Sequence, residues 1–149
     1  MFSEADLTSL VLTLKLAFIT TLILLLVCTP LAWWLAYSRW RFKYVVEAIV
    51  ALPLILPPTV LGFYLLLAMG VHGPLGKLML ALDLTPLAFS FTGVVIGSVF
   101  YSLPFVVQPL KNAFMAIGRR PLEVAATLGA RPLERFWRVA LPMARPGFI

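Results

Sequence analysis

An unbroken run of uncharged residues, Leu16 to Tyr37, constrains this chain more than any other feature. At about 1.5 Å per residue, a helix of this length crosses the roughly 30 Å hydrocarbon core of a bilayer. The run closes on Trp33, Trp34 and Tyr37, whose rings favour the headgroup level. The 149 residues are 62% hydrophobic and 12% charged, whereas soluble domains are about half apolar and a quarter charged. The sequence therefore predicts a membrane protein with a first span at about 16–37.

The residues before this run do not resemble a cleaved leader. Glu4 and Asp6 stand where a signal peptide has basic residues, and the apolar run is longer than a signal-peptide core. We expect the run to remain as a membrane anchor.

A second apolar segment, at about 45–69, predicts a second span that is kinked. Pro53, Pro57 and Pro58 interrupt it, and each removes a backbone donor from the helix. Backbone groups freed in lipid need partners from neighbouring helices or water. We therefore expect Pro57, Pro58 and Thr59 to face protein or an aqueous path, as candidate pathway or gate residues.

The third predicted span, at about 88–107, carries small and hydroxyl residues. Gly93 and Gly97 share the spacing that lets membrane helices pack closely, and Ser98 and Ser102 lie one turn apart. The two serines are the remaining candidates for a hydrophilic pathway. Alternatively, their hydroxyls bond to their own or a neighbouring backbone.

Basic residues gather in two segments that flank the apolar runs. The first segment contains Arg39, Arg41 and Lys43, and the second contains Lys111, Arg119, Arg120, Arg131, Arg135, Arg138 and Arg145. The positive-inside rule places both segments in the cytoplasm and the N-terminus outside, in a multi-pass inner-membrane topology. Because the net charge of +6 follows this pattern, we expect contact with membrane lipid and no nucleic-acid partner.

One acidic residue lies close to the first basic segment. Glu47 is within one turn of the loop that carries Arg41 and Lys43. A charge costs less there than at the bilayer centre. We expect its side chain to reach the interface or to pair with Arg41 or Lys43.

The sequence offers no constellation for catalysis or metal binding. Cys28 is the single cysteine and His72 the single histidine, and no Ser/His/Asp set or carboxylate pair stands at membrane depth. We therefore expect neither an enzyme nor a protein that binds its own cofactor or metal.

A polar helical hairpin is predicted at about 119–142. Pro121 suits the first turn of a helix, and Glu123 complements the positive helix N-terminus. Gly129 suits the left-handed conformation that ends a helix. A second helix begins at Pro132 and is expected to end before Pro142. The first helix presents a face of mainly small residues, Leu122, Ala125, Ala126 and Gly129.

Two interpretations of this hairpin are open. It lies as an amphipathic element on the anionic leaflet, or it docks into a groove of a partner protein. A face of alanine and glycine buries little apolar area in lipid, so the first helix favours the protein groove.

The chain finishes on Pro146, Phe148 and Ile149, a pattern typical of a helix start. We interpret this as the start of a fourth span and the 149 residues as part of a longer permease.

The hairpin resembles a motif of a known family. Residues 123–129, EVAATLG, followed after nine residues by VALP at 139–142, resemble the EAA motif of permease subunits in ABC importers. Val124 and Val139 replace the motif's alanine and isoleucine. The resemblance implies an all-α permease transmembrane domain over 1–149 with the MetI-like fold. It also implies an ATPase-coupling role for Glu123, Val124, Ala125, Ala126, Gly129, Val139, Leu141 and Pro142.

Other segments are similar to the ModB-type permeases of molybdate importers. The similarity lies in residues 51–76, 101–110 and 136–147, both in the residues themselves and in the order of the segments. It implies a homodimer, a pair of ABC ATPase subunits that bind the ATP, and an external oxyanion-binding protein for molybdate or tungstate. Sulfate and thiosulfate permeases are the alternative within the family. A structural membrane protein without transport is the alternative outside it.

Overall fold

The structure, a computed structural model, describes residues 3–149, and the regular elements in this range are all helical. The longer helices are α1 (Glu4–Tyr37), α2 (Lys43–Ile55), α3 (Pro58–Met69), α4 (Pro74–Ala81) and α5 (Phe91–Ile117). The shorter elements are α6 (Arg120–Thr127), α7 (Pro132–Arg135), a π-helical turn (Phe136–Ala140), α8 (Leu141–Met143) and a 3₁₀ turn (Arg145–Phe148). The predicted all-α class is confirmed.

Three helical segments are long and apolar enough to cross a membrane: Glu4–Tyr37, Pro58–Ala81 and Phe91–Ile117. The first begins well before Leu16 because Ser3 and Asp6 cap it. The Asp6 N–H donates to Ser3 Oγ at 3.3 Å, and the Ser3 N–H donates to Asp6 Oδ2 at 2.9 Å. This reciprocal pair satisfies backbone donors that a helix start leaves free.

The second apolar segment forms two helices rather than one kinked helix. Pro57 has an extended backbone, with ψ 140°, and separates α2 from α3. Pro57 and Pro58 have no N–H, so the carbonyls one turn earlier lose their helical donors. A new helix then starts as the Leu61 N–H donates to the Pro57 carbonyl at 3.0 Å. The predicted span at 45–69 thus corresponds to α2 and α3. By length and composition, however, the candidate membrane span of this region is Pro58–Ala81, which comprises α3 and α4.

The chain forms two compact units, and α1, α2 and α5 contribute to both. The first unit comprises residues 3–25 and Ala51–Leu103. Leu24, Leu61 and Val95 are buried in it. The Lys15 ammonium lies 5.4 Å from the centroid of the Phe91 ring, at cation–π distance.

The second unit comprises Leu26–Val50 and Pro104–Ile149. Its interior is built from side chains of α1 and α5. Cys28, Val107 and Phe114 are almost completely buried in it.

The glycines of α5 pack in two different ways. A Cβ on Gly97 would lie 3.8 Å from Leu65 of α3, so this position packs on another membrane helix as expected. A Cβ on Gly93 would lie 2.0 Å from the Leu87 carbonyl oxygen. Gly93 therefore permits the tight turn before α5, in which its N–H donates to Ser90 Oγ at 3.0 Å.

The prediction that Glu47 pairs with Arg41 or Lys43 is wrong. The carboxylate of Glu47 in α2 pairs with the Lys111 ammonium of α5, not with Arg41 or Lys43. The Lys111 and Glu47 side chains are 13% and 30% exposed. In an ion pair shielded from water to this degree, the loss of one partner leaves a poorly solvated charge, which costs more than the loss of a surface pair.

Removal of one partner of this pair is therefore expected to destabilise the protein. We expect Lys111→Ala to cost about 1–2 kcal/mol, between the values for surface and fully buried pairs, because Glu47 keeps an unpaired charge. The measurement is the thermal stability of the purified protein in detergent. The double variant Lys111→Ala/Glu47→Ala should be more stable than Lys111→Ala alone. If both variants lose the same thermal stability, the two charges do not interact.

Candidate functional site

The predicted polar hairpin is formed by α6 and α7, and Gly129 makes the turn between them. Gly129 has φ 85°, which confirms the predicted left-handed conformation. The Gly129 N–H donates to the Ala126 carbonyl and the Ala130 N–H to the Ala125 carbonyl, both at 3.0 Å. This is the Schellman arrangement, which satisfies the last carbonyls of α6.

The first helix exposes most of the motif. Glu123, Val124 and Ala126 are exposed, Ala125 is half-buried and Leu122 is buried. No cation among the described residues pairs with the Glu123 carboxylate. A carboxylate in this state is available to a basic group of a partner.

The hairpin also exposes large apolar side chains outside the small-residue face. Leu128 is 83% exposed, Leu133 71% and Trp137 60%. The expected small-residue face is therefore only part of the accessible surface. The spacing of these large apolar residues along the helices did not show whether their side chains face solvent or the protein interior.

The second helix does not end before Pro142, contrary to the prediction. The π-helical turn Phe136–Ala140 leads directly into α8, which contains Pro142 and ends at Met143. The Leu141 N–H donates to the Phe136 carbonyl, five residues back. Pro142 then stands in the first turn of α8, where its missing N–H costs little.

The remaining motif residues lie on this turn and just after it. Val139 and Leu141 are half-buried, Pro142 is exposed, and Ala140 between them is fully buried. The spacing of the motif thus places a backbone distortion, rather than a helix end, at the second half of the hairpin.

Hydrogen bonds join the end of α1 to the end of α5 and to the first residue of the hairpin. The Tyr37 hydroxyl donates to the Phe114 carbonyl at 2.5 Å and lies 3.3 Å from the Gly118 carbonyl. In return, Arg119 Nη2 donates to the Tyr37 carbonyl at 3.3 Å. Carbonyls at helix C-termini lack helical donors and favour cations. These bonds therefore satisfy the ends of α1 and α5 reciprocally.

The candidate pathway residues lie in the first unit and are only partly brought together. A cleft of about 450 Å³ between α3 and α5 is lined by Pro58 and Ser98 among mostly apolar side chains. Pro57 and Thr59 are exposed outside this lining, and Ser102 is half-buried outside it.

Within residues 3–149, no three His, Cys, Asp or Glu side chains lie close enough to hold a metal ion. His72 is exposed, and the thiol of Cys28 is buried.

Comparisons with known proteins give the chain a family. Residues 28–149 match the family described as "Binding-protein-dependent transport system inner membrane component". The chain is 63% identical over 147 residues to the "Molybdenum transport system permease protein ModB" of Azotobacter vinelandii, covering 99% of this chain and 65% of that protein.

More distant relatives carry similar names. Identity is 41% over 142 residues to the protein called ModB in Mycobacterium tuberculosis (strain ATCC 25618 / H37Rv), with 95% of this chain and 53% of that protein covered. It is 32% over 127 residues to the "Molybdate/tungstate transport system permease protein WtpB" of Pyrococcus abyssi (strain GE5 / Orsay), covering 85% of this chain and 46% of that protein.

The chain thus spans about half to two thirds of the length of the relatives it matches. The family match covers most of the chain, including α5 and the whole hairpin. The chain belongs to the family of inner membrane components of binding-protein-dependent transport systems.

Proposed function

We propose that this chain is part of the permease subunit of an ATP-driven importer that carries molybdate or tungstate across the cytoplasmic membrane. The observation that carries the proposal is the hairpin at 119–142. Its two short helices meet at Gly129, and Glu123 exposes a carboxylate that no cation of the described residues pairs with. The names of the relatives, which all specify molybdenum or molybdate transport, support the cargo.

The hairpin couples the permease to an ABC ATPase in this proposal. A pair of ATPase subunits binds and hydrolyses the ATP, and the chain binds no cofactor itself. The coupling residues are Glu123, Val124, Ala125, Ala126, Gly129, Val139, Leu141 and Pro142. Glu123 meets a basic or polar group of the ATPase, since charge-assisted hydrogen bonds are stronger than neutral ones. The permease acts as a homodimer in membrane lipid and receives the oxyanion from an external binding protein.

The pathway lies near the break between α2 and α3. Pro57, Pro58 and Thr59 supply a point where the helix is already interrupted, and Ser98 and Ser102 supply hydroxyls on α5. Among residues 3–149, no charged side chain lines the cleft beside Pro58 and Ser98. This suits a conduit, because cargo that binds too tightly along a pathway cannot leave it.

Two alternatives lead to different observations. A sulfate or thiosulfate importer has the same coupling hairpin but a different cargo. A structural membrane protein without transport needs no ATPase partner.

Loss of the Glu123 carboxylate is expected to weaken ATPase docking. A hydrogen bond to a charged group is worth about 1.5–3 kcal/mol, so Glu123→Ala in the full-length protein should weaken docking about tenfold or more. Co-purification with the ATPase subunit measures this, while the amount in the membrane fraction should be unchanged. Glu4→Ala, which removes another exposed carboxylate, is the matched control. Undiminished recovery of the complex with Glu123→Ala would argue against docking at this face.

Gly129→Leu is expected to disturb the same interface by a different route. A residue with a Cβ pays roughly 1–2 kcal/mol for the left-handed conformation. A Cβ added at Gly129 would have no described neighbour within 4 Å, so the strain comes from the backbone. Gly129→Asn, which tolerates this conformation, should retain more of the complex than Gly129→Leu. Equal recovery of the two variants would show that the turn conformation does not matter for docking.

The proposed sidedness has its own test. Leu128 in the hairpin is 83% exposed and Phe89 in the loop before α5 is 93% exposed, while the native thiol of Cys28 is buried. We expect a membrane-impermeant maleimide to label Phe89→Cys in spheroplasts and Leu128→Cys only after lysis. The opposite pattern would place the hairpin outside and remove its access to an ATPase.

The cargo is decided by uptake into vesicles that contain the assembled transporter and its binding protein. We expect ATP-dependent uptake of radiolabelled molybdate, with competition from tungstate and none from sulfate at equal concentration. Uptake that sulfate inhibits as strongly as tungstate does would favour the sulfate alternative.

A further inference from the structure

Phe136, on the π-helical turn of the hairpin, contacts both long helices of the second unit, α1 and α5. Its ring centroid lies 5.3 Å from that of Trp33 in α1, with the rings edge to face, and 6.3 Å from that of Phe114 in α5. Trp33 and Phe114 also meet edge to face, at 5.5 Å. Aromatic pairs at these distances attract each other. The three rings therefore form a closed triangle that joins α1, α5 and the hairpin.

Trp33 and Phe114, the two rings that Phe136 contacts, are held firmly in place. Phe114 is completely buried, and Trp33 also packs against Tyr37, with the ring centroids 4.5 Å apart. The Tyr37 hydroxyl in turn donates to the Phe114 carbonyl. Packed side chains with a hydrogen-bonded backbone behind them transmit a displacement rather than absorb it.

The covalent connection between the hairpin and α5 is less rigid than this packing. The hairpin joins α5 through Gly118, which has φ 73°, and a Cβ added there would have no described neighbour within 4 Å. A glycine adopts new backbone angles more easily than other residues do, although the Gly118 carbonyl also lies 3.3 Å from the Tyr37 hydroxyl. The Phe136 ring therefore gives a force on the hairpin a packed route to α1 and α5 in addition to the chain itself.

Neighbouring side chains of the π-helical turn differ in their exposure. Phe136 is half-buried against α1 and α5, whereas the next residue, Trp137, is 60% exposed. One side is thus available to a partner while the other holds the membrane helices.

We propose that Phe136 is a positioning residue that transmits movement of the hairpin to α1 and α5 through Trp33 and Phe114. This inference rests on the proposed function, because it needs an ATPase that moves the hairpin.

The experiment compares Phe136→Ala with the unmodified full-length permease, each assembled with its ATPase in vesicles. ATP-dependent change in the maleimide labelling of Met115→Cys, at an exposed position near the end of α5, reports movement of α5 without reference to the cargo. Uptake per ATP hydrolysed reports coupling. Phe42→Ala removes an exposed ring of the same unit and is the matched control. Phe136→Tyr keeps the ring.

We expect Phe136→Ala to co-purify with the ATPase and to hydrolyse ATP, while uptake per ATP falls about fivefold or more, the lower end of typical coupling between sites. The ATP-dependent labelling change should be lost as well. Phe136→Tyr and Phe42→Ala should behave like the unmodified protein. Trp33→Ala should add little to the loss in Phe136→Ala, since both act through one contact.

Normal labelling change and uptake ratio in Phe136→Ala would overturn the inference and leave the proposed function standing. Loss of the complex in both Phe136→Ala and Phe136→Leu would also overturn it, because the ring would then serve assembly. An unmodified transporter in which ATP changes neither labelling nor uptake would overturn the proposed function and this inference together.

Discussion

The hydrogen bonding of the backbone is the constraint on which the rest of the structure depends. In hydrocarbon, an unpaired N–H or C=O costs several kcal/mol, so a chain this apolar must pair these groups within helices. Helices α1 and α5 do so over almost their whole length. The interruption at Pro57 is the consequence of two consecutive residues that lack donors. The proline pair therefore ends one helical segment and starts the next, whereas the single prolines Pro30, Pro53, Pro104 and Pro109 lie inside helices.

The ends of the long helices present the same problem in another form. The last carbonyls of α1 and α5 have no helical donors. Tyr37 and Arg119 supply donors across the two helices, and each side chain serves the end of the other helix. As a result, the hairpin leaves α5 at a point that is already tied to α1. The polar interactions and the ring triangle of Phe136 together fasten the hairpin to α1 and α5 within the second unit.

The hairpin shows how far local signals reach. Pro121, Gly129 and Pro132 mark its helix starts and its turn correctly, because each acts through its own backbone angles or its missing N–H. The expectation that the second helix ends before Pro142 failed. The π-helical turn before it accommodates the proline, and Ala140 in this turn is completely buried. Packing of that kind has no signature in neighbouring residues.

The helical class, the apolar segments, the turn at Gly129 and the resemblance to a family can all be read from the amino-acid sequence, since they follow from composition and short-range spacing. Which distant residues meet depends on how the helices pack. Glu47 pairs with Lys111 rather than with the nearby Arg41 or Lys43, and Phe136 rather than Trp137 faces the membrane helices. The physical reason is that helix packing, which depends on the whole chain, sets the position of a side chain relative to residues far away in sequence.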